Sequence, residues 1–233
     1  MSKYNLTIAT ITHEGIGDAN LQLSALDFLK DRGYRVCVSD GGSSRLFIER
    51  LIRMGHEVES TYDGLVSQHI QCLTMASKKA DNILYTEPDK LDWFRKGLNK
   101  SIRQYFNRNL EFALISRNPR QMKTFPIDQQ TTEEIANSFL SKWFLQLKSM
   151  DFVYGPRIFV SSLARDLIKE SLSNLSGWSI PYYLLGKAYK KRLNISGLFN
   201  GVACPRSQRR EYDPLYRADQ LLDVIDGFLI GAI

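Results

Sequence analysis

The stretch Ile83 to Lys90, ILYTEPDK, begins as an apolar run and ends with two carboxylates, Glu87 and Asp89, on either side of a proline. Carboxylates at i and i+2 can converge on one hard divalent cation. Magnesium-type ions prefer oxygen ligands and take one or two carboxylates when substrate phosphates supply the rest. Pro88 fixes the local backbone, so the acidic pair is held in one geometry. Acidic turns are also ordinary solvent-facing loops, and the surrounding elements decide between these readings. Two further clusters carry chemistry. Thr12-His13-Glu14-Gly15-Ile16-Gly17-Asp18 holds a G-x-G, and Asp40-Gly41-Gly42-Ser43-Ser44 holds a glycine pair. Two glycines allow a sharp turn and let backbone N–H groups approach a ligand, while Ser43 or Ser44 can cap a following helix. The Asp40 carboxylate exceeds what a plain turn requires, and it could accept from a base N–H or a ribose hydroxyl.

The elements that must position these residues alternate. Leu6 to Thr12 is rich in β-branched residues and reads as a strand, and Asn20 to Lys30 reads as a helix that Gly33 stops. Arg35 to Ser39 is a second strand and Ser44 to Met54 a second helix, with Leu46, Phe47, Leu51 and Ile52 inward. His56 to Thr61 is a third strand, Val66 to Lys79 a helix and Asn82 to Thr86 the fourth strand. This pattern predicts an α/β fold, a mostly parallel central sheet with helices on both faces. In such sheets ligands sit beyond the carboxyl ends of the strands, which places all three clusters along one edge.

The chain has 233 residues, 43% of them hydrophobic, and a net charge of +6. That length and composition fit one domain with a substantial core, or a domain plus a small appendage, and exclude general disorder. The charge suits a phosphorylated ligand, an anionic surface or nucleic acid without choosing among them. Cys37, Cys72 and Cys204 are few and widely spaced, so neither a disulfide framework nor a zinc site is expected. No run approaches the roughly 20 apolar residues of a membrane span, and no charged leader precedes an apolar core, so a cytoplasmic location is the expectation. Arginines and aromatics do not line one periodic face, so nucleic acid is not an expected partner.

Taken together, these motifs resemble the nucleotide-sugar glycosyltransferases of the GT-A fold, especially the family 2-like group. VSDGGSS is similar to the element in which a second strand ends in aspartate, glycine and serine. ADNILYTEPDK is similar to the later strand ending in the acidic metal-holding turn, with Glu87 in place of the first aspartate. The resemblance is strongest over residues 4 to 95. Beyond that, FALISRNPR (Phe112 to Arg120), DFVYGPRIF (Asp151 to Phe159) and the Gly177-Trp178 turn before a helix resemble later segments. It implies a single domain, with residues 1–95 as the nucleotide-sugar and metal half and 96–233 as the acceptor half. It further implies a UDP- or GDP-type sugar donor, an unspecified acceptor, and Mn²⁺ or Mg²⁺ held by Glu87 and Asp89. The implied donor contacts are Thr10, Thr12, Glu14, Asp40, Gln68 and Lys90, with Gln68 in a loop near the diphosphate.

Transfer requires stabilisation of the departing diphosphate, which a metal Lewis acid supplies and Lys90, Arg117 or Arg157 could assist. An inverting transfer also requires a base. The acidic residue that relatives carry just after the glycine is missing from Gly177-Trp178-Ser179, and Asp151 is the replacement candidate. A retaining transfer needs no protein base, and the sequence permits both. Tyr154 and Trp178 could stack on a sugar. Arg209, in a cluster with Arg206, Arg210, Arg217, Tyr212 and Tyr216, could grip the diphosphate or an anionic acceptor. The last segment, Ala218 to Ile233, reads as a helix with Leu221, Leu222, Ile225, Phe228 and Leu229 on one side. It is expected to dock on the body or to form a homodimer, ahead of a peripheral membrane contact, because its polar face is acidic. Pro126 to Glu134 reads as a loop, with Thr131 or Thr132 capping a helix that runs through Trp143. Two alternatives remain open. One is a non-catalytic nucleotide or nucleotide-sugar binding protein on the same scaffold. The other is a Rossmann-type cofactor enzyme, weakened because Asn20 stands where the third glycine belongs.

Overall fold

The computed structural model describes residues 4–15, 18–167, 169–170, 172–209 and 213–233. The chain runs β1 (Leu6–Thr12), α1 (Ala19–Asp31), β2 (Val36–Asp40), α2 (Arg45–Arg53), β3 (Glu57–Ser60), α3 (Gly64–Ser77), β4 (Asn82–Tyr85) and α4 (Leu91–Lys96). It continues with α5 (Leu98–Asn107), β5 (Phe112–Ile115), α6 (Pro119–Met122), α7 (Ile127–Ser141), β6 (Arg157–Val160), α8 (Ser161–Leu167), α9 (Ser179–Lys190), β7 (Ile195–Leu198) and α10 (Pro214–Ala232). These form two units, residues 1–94 with 156–174, and residues 95–155 with 175–233. The return of 156–174 to the first unit is the difference from a simple division at residue 95.

In the first unit the strands lie in the order β3-β2-β1-β4-β6. β1 pairs parallel with β2 and β4, and β2 parallel with β3, while β6 runs antiparallel to β4. All seven residues of β1 and all five of β2 are buried, as expected of central strands covered on both faces. Asp18 caps α1 by accepting from the Asn20 and Leu21 N–H groups, and Ser44 caps α2 by accepting from Phe47 N–H. On α2, Phe47 and Leu51 face inward as expected, whereas Leu46 and Ile52 are 74% and 52% exposed. The inward stripe of this short helix against β3 is narrower than its apolar composition implies.

His69 on α3 is fully buried, and its Nε2 lies 2.8 Å from the Tyr85 hydroxyl at the end of β4. Desolvation, aided by the Arg157 charge, holds its pKa down to about 3. The folded value lies below the ordinary 6.5, so the unfolded chain takes up a proton first as pH falls. Stability is therefore lost from pH 6.5 downward. Urea unfolding between pH 6.5 and 4.5 should show wild type losing about 2 kcal/mol more than His69→Gln, which keeps a partner for Tyr85. Parallel curves would remove this explanation.

In the second unit β5 and β7 pair parallel, and α10 packs against α9 and α7. The α9–α10 contact depends on missing side chains, since a Cβ at Gly186, Gly227 or Gly231 would overlap backbone of the facing helix. Phe228 is buried under Phe139, Phe144, Trp143 and Tyr189. The C-terminal helix thus docks on its own unit, while Leu222, expected inward, is 56% exposed. The segment read as a loop from Pro126 is helical from Ile127, and Thr131 and Thr132 donate to the carbonyls of Ile127 and Asp128 within α7 instead of capping it. Cys37, Cys72 and Cys204 are buried and form no disulfide among the described residues. Among the described residues no helix is long and apolar enough to cross a membrane.

Candidate functional site

Parallel pairing brings the carboxyl ends of β1, β2 and β4 to one edge. Thr12 lies opposite Asp40, and Thr86 N–H donates to the Ala9 carbonyl before the chain enters the acidic turn. Thr10 and Thr12 are buried on β1. At the end of β2, Asp40 is fully buried and organises both neighbouring loops. Its Oδ1 accepts from the Gly42 and Ser43 N–H groups at 3.0 and 2.7 Å, and its Oδ2 from the Thr12 and Ser43 hydroxyls at 2.8 and 2.6 Å. A carboxylate offers about four acceptor positions, and here all four are taken. Asp40 therefore sets the loop, while the groups exposed for a ligand are those the loop carries.

Glu14 joins the two loops. Its own N–H donates to the Ser43 hydroxyl at 2.7 Å and its Oε2 accepts from Ser44 N–H at 3.0 Å, and hydrogen bonds from the Ser44 hydroxyl and backbone hold its carboxyl below the ordinary range. Ser43 was expected only as a possible helix cap. Its place three residues after an aspartate is the signature of side-chain-to-backbone turn bonding that identifies its actual role. Gln68 sits in the first turns of α3, not in a loop, and is 5% exposed. A Cβ on Gly41 would overlap its amide, so the glycine lets that amide approach the β2 loop. Of the G-x-G, Gly17 lies outside the described residues, as do Arg210 and Tyr212 of the arginine cluster.

The acidic turn follows directly. Lys90 N–H closes it onto the Glu87 carbonyl, Pro88 is buried, and α4 begins at Leu91. Lys90 Nζ lies 2.9 Å from Asp89 Oδ1 and 3.9 Å from Glu87 Oε2, so a single cation reaches both carboxylates. The two side chains therefore converge. Glu87 Oε2 is buried without a hydrogen-bond partner, and desolvation raises its carboxyl above the ordinary range. Arg157, 1% exposed at the start of β6 and opposite Tyr85, is close enough for its charge to act on Glu87. Among the described residues no group of three or more His, Cys, Asp or Glu is gathered for a metal. Two hard oxygen ligands, one of them a buried oxygen lacking a partner, fit an ion whose other ligands come from phosphate and water.

The second unit treats its expected site residues differently. Arg117 is 1% exposed, and its Nε and Nη2 lie 2.5 Å from Asp151 Oδ2 and Glu133 Oε2. Its guanidinium stands 4.2 Å from the Phe125 ring centroid and 5.0 Å from that of Tyr154. Asp151, also 1% exposed, further accepts from Asn137 and from the Val153 N–H. Burial raises the Glu133 carboxyl, because one guanidinium offsets only one of the two acids. Buried at 1% exposure and bonded to Arg117, Asn137 and the Val153 N–H, the Asp151 side chain is engaged inside the unit and does not face solvent as a base would need to. Arg117 is likewise committed inside the unit, and Tyr154 is buried beneath it with its hydroxyl accepting from Val202 N–H.

Trp178 remains partly exposed, with its indole N–H donating to the Tyr216 hydroxyl. The carboxylate missing from the Gly177 turn is supplied by α10. Asp223 accepts from Trp178 N–H at 2.9 Å and from the Ser176 hydroxyl at 2.7 Å. Arg217, grouped by sequence with the exposed arginines, is buried and bonds Asp128 and Gln129 of α7. Arg209 is exposed and, with Lys123, Thr124, Phe125 and Pro126, lines an open groove of about 390 Å³.

No protein-family model matches the sequence, and no curated protein matches it. Solved structures do. Glucosyl-3-phosphoglycerate synthase from Mycobacterium tuberculosis in complex with UDP is similar with a TM-score of 0.67 and 15% identity, over 99% of this chain and 80% of that one. The same enzyme with Mn²⁺, UDP-glucose and phosphoglyceric acid gives a TM-score of 0.67 and 14% identity over the same shares. A mycobacterial protein gives 0.69 and 14%, over 99% of this chain and 75% of that one. The chain has the GT-A glycosyltransferase fold, a mostly parallel sheet flanked by helices.

Proposed function

We propose that the protein is a metal-dependent glycosyltransferase that takes a sugar from a UDP-type donor, with Glu87 and Asp89 holding the cation. One observation carries this reading: two half-buried carboxylates at the carboxyl edge of a GT-A sheet lie within 3.9 Å of one ammonium, in a geometry that serves a cation. The UDP, UDP-glucose and Mn²⁺ of the similar structures support the choice of donor and ion. When bound, the metal neutralises charge gathering on the departing diphosphate. Lys90 and the fixed Arg157 add positive charge on the same side. The loops laced by Asp40, Ser43 and Glu14 hold the nucleoside end, with Gln68 beside them.

Asp151 is spent on Arg117, and Asp223 is spent on the Gly177–Trp178 turn. We therefore infer a transfer in which the acceptor hydroxyl gives its proton to the departing phosphate oxygen. Within the second unit, Lys123 and Arg209 give the open groove a positive lining that suits an anionic group.

Thermal unfolding with UDP-, GDP- and dTDP-sugars, with and without Mn²⁺, tests the assignment. Ligand linkage predicts stabilisation of about 2.7 kcal/mol at a hundredfold excess over Kd. The expected result is a shift with a UDP-sugar that needs Mn²⁺. An equal shift without metal supports the non-catalytic binding protein, and a response only to a dinucleotide or methyl donor removes the transferase.

Gly41→Ala should displace the flexible end of Gln68 at little cost in stability, under about 1 kcal/mol, while weakening UDP binding about tenfold. Isothermal titration against wild type measures the affinity, and unchanged binding would remove Gln68 from the donor site.

A further inference from the structure

Lys90 reaches the same two carboxylates that are assigned above to a metal. Its Nζ lies 2.9 and 3.1 Å from the two Asp89 oxygens and 3.9 Å from Glu87 Oε2. We propose that Lys90 is an internal counter-cation that occupies the Glu87–Asp89 site before the donor arrives, so that the divalent ion and the diphosphate enter together. This rests on the metal-site reading above.

The backbone at Lys90 is fixed, because its N–H closes the acidic turn and its carbonyl accepts from Phe94 N–H in the first turn of α4. Movement is left to the side chain, a compact charge on a flexible four-carbon stem. Arg157, the other cation near Glu87, is 1% exposed in β6 and cannot leave. A divalent ion entering between the carboxylates meets the Lys90 ammonium at contact range and repels it. A diphosphate arriving with the ion gives that ammonium an anionic partner. Metal alone therefore binds against Lys90, and metal with diphosphate binds with its help. Such coupling is reciprocal, so metal and nucleotide each raise the affinity of the other.

The experiment measures Mn²⁺ binding to the full chain by electron paramagnetic resonance, with and without UDP, for wild type, Lys90→Met, Lys90→Gln and Lys90→Arg. Removing one charge at this range should tighten binding of Mn²⁺ alone about tenfold in both neutral variants. It should also shrink the gain from UDP by a similar factor, while Lys90→Arg stays near wild type. Circular dichroism confirms folding, and Lys90→Gln provides the reading if Lys90→Met is unstable. If wild type binds Mn²⁺ with UDP but the neutral variants bind Mn²⁺ alone no better than wild type, the Lys90 inference is overturned and the metal site stands. If Mn²⁺ does not bind even with UDP, and Glu87→Gln changes nothing, both fall.

Discussion

The double variant Glu87→Gln, Asp89→Asn should lose sugar transfer by about a thousandfold, the scale expected when charge stabilisation of a leaving group is removed. Each factor of ten is about 1.4 kcal/mol of barrier, so the pair accounts for about 4 kcal/mol. Such a loss is easily confused with unfolding, but the electrostatics separate the two. Burial raises the Glu87 carboxyl, so ionising it at neutral pH works against the folded state. The neutral amide removes that cost, and Glu87→Gln should be at least as stable as wild type. Turnover of a UDP-sugar, measured beside the unfolding midpoint, checks both halves. Wild-type turnover in a well-folded double variant would end the proposal that this turn holds the ion.

The second large effect concerns stability alone. Arg117 is the shared partner of Asp151 and Glu133, and all three are almost wholly buried. Removing one member of a buried pair leaves an uncompensated charge and costs about 3–5 kcal/mol. Arg117→Met should lower the urea unfolding free energy by that amount. Adding Glu133→Gln and Asp151→Asn should restore about half or more of it, because neutral groups no longer need the guanidinium. A loss below about 1 kcal/mol for Arg117→Met would show that water reaches the network.

The sequence reading was strongest where structure is local. The first two β-α steps are encoded within a few residues: β-branched residues dominate β1 and recur in β2, and Asp18 and Ser44 cap the helices that follow. Parallel pairing then brings Glu87, Asp89, Asp40 and Glu14 to one edge, as the alternating pattern required. What resisted reading depends on distant partners. Nothing near Asp151 in sequence neutralises it, and its partner Arg117 lies 34 positions away, with Glu133 lying 16 from that arginine. Arg217 likewise looked like part of a solvated cluster until α10 laid it against Asp128 of α7.

Composition misled in a different way. Pro126 to Glu134 is polar enough to read as a loop, but Glu133 and Gln129 are polar because they meet buried arginines, and the threonine hydroxyls bond within the helix. Leu46, Ile52 and Leu222 are apolar and exposed, which pattern alone could not show. The Asp223 carboxylate at the Gly177 turn arrives from a helix 45 residues later than the Trp178 N–H it accepts from. No motif at the turn announces it.

The most direct measurement is anomalous diffraction at the manganese edge from crystals grown with Mn²⁺ and UDP. A single peak is expected within coordination distance of both the Glu87 and Asp89 carboxylates and of the diphosphate, with Lys90 Nζ withdrawn from the acidic pair. An ordered UDP with no peak there, and Lys90 still joined to the two carboxylates, would contradict that expectation.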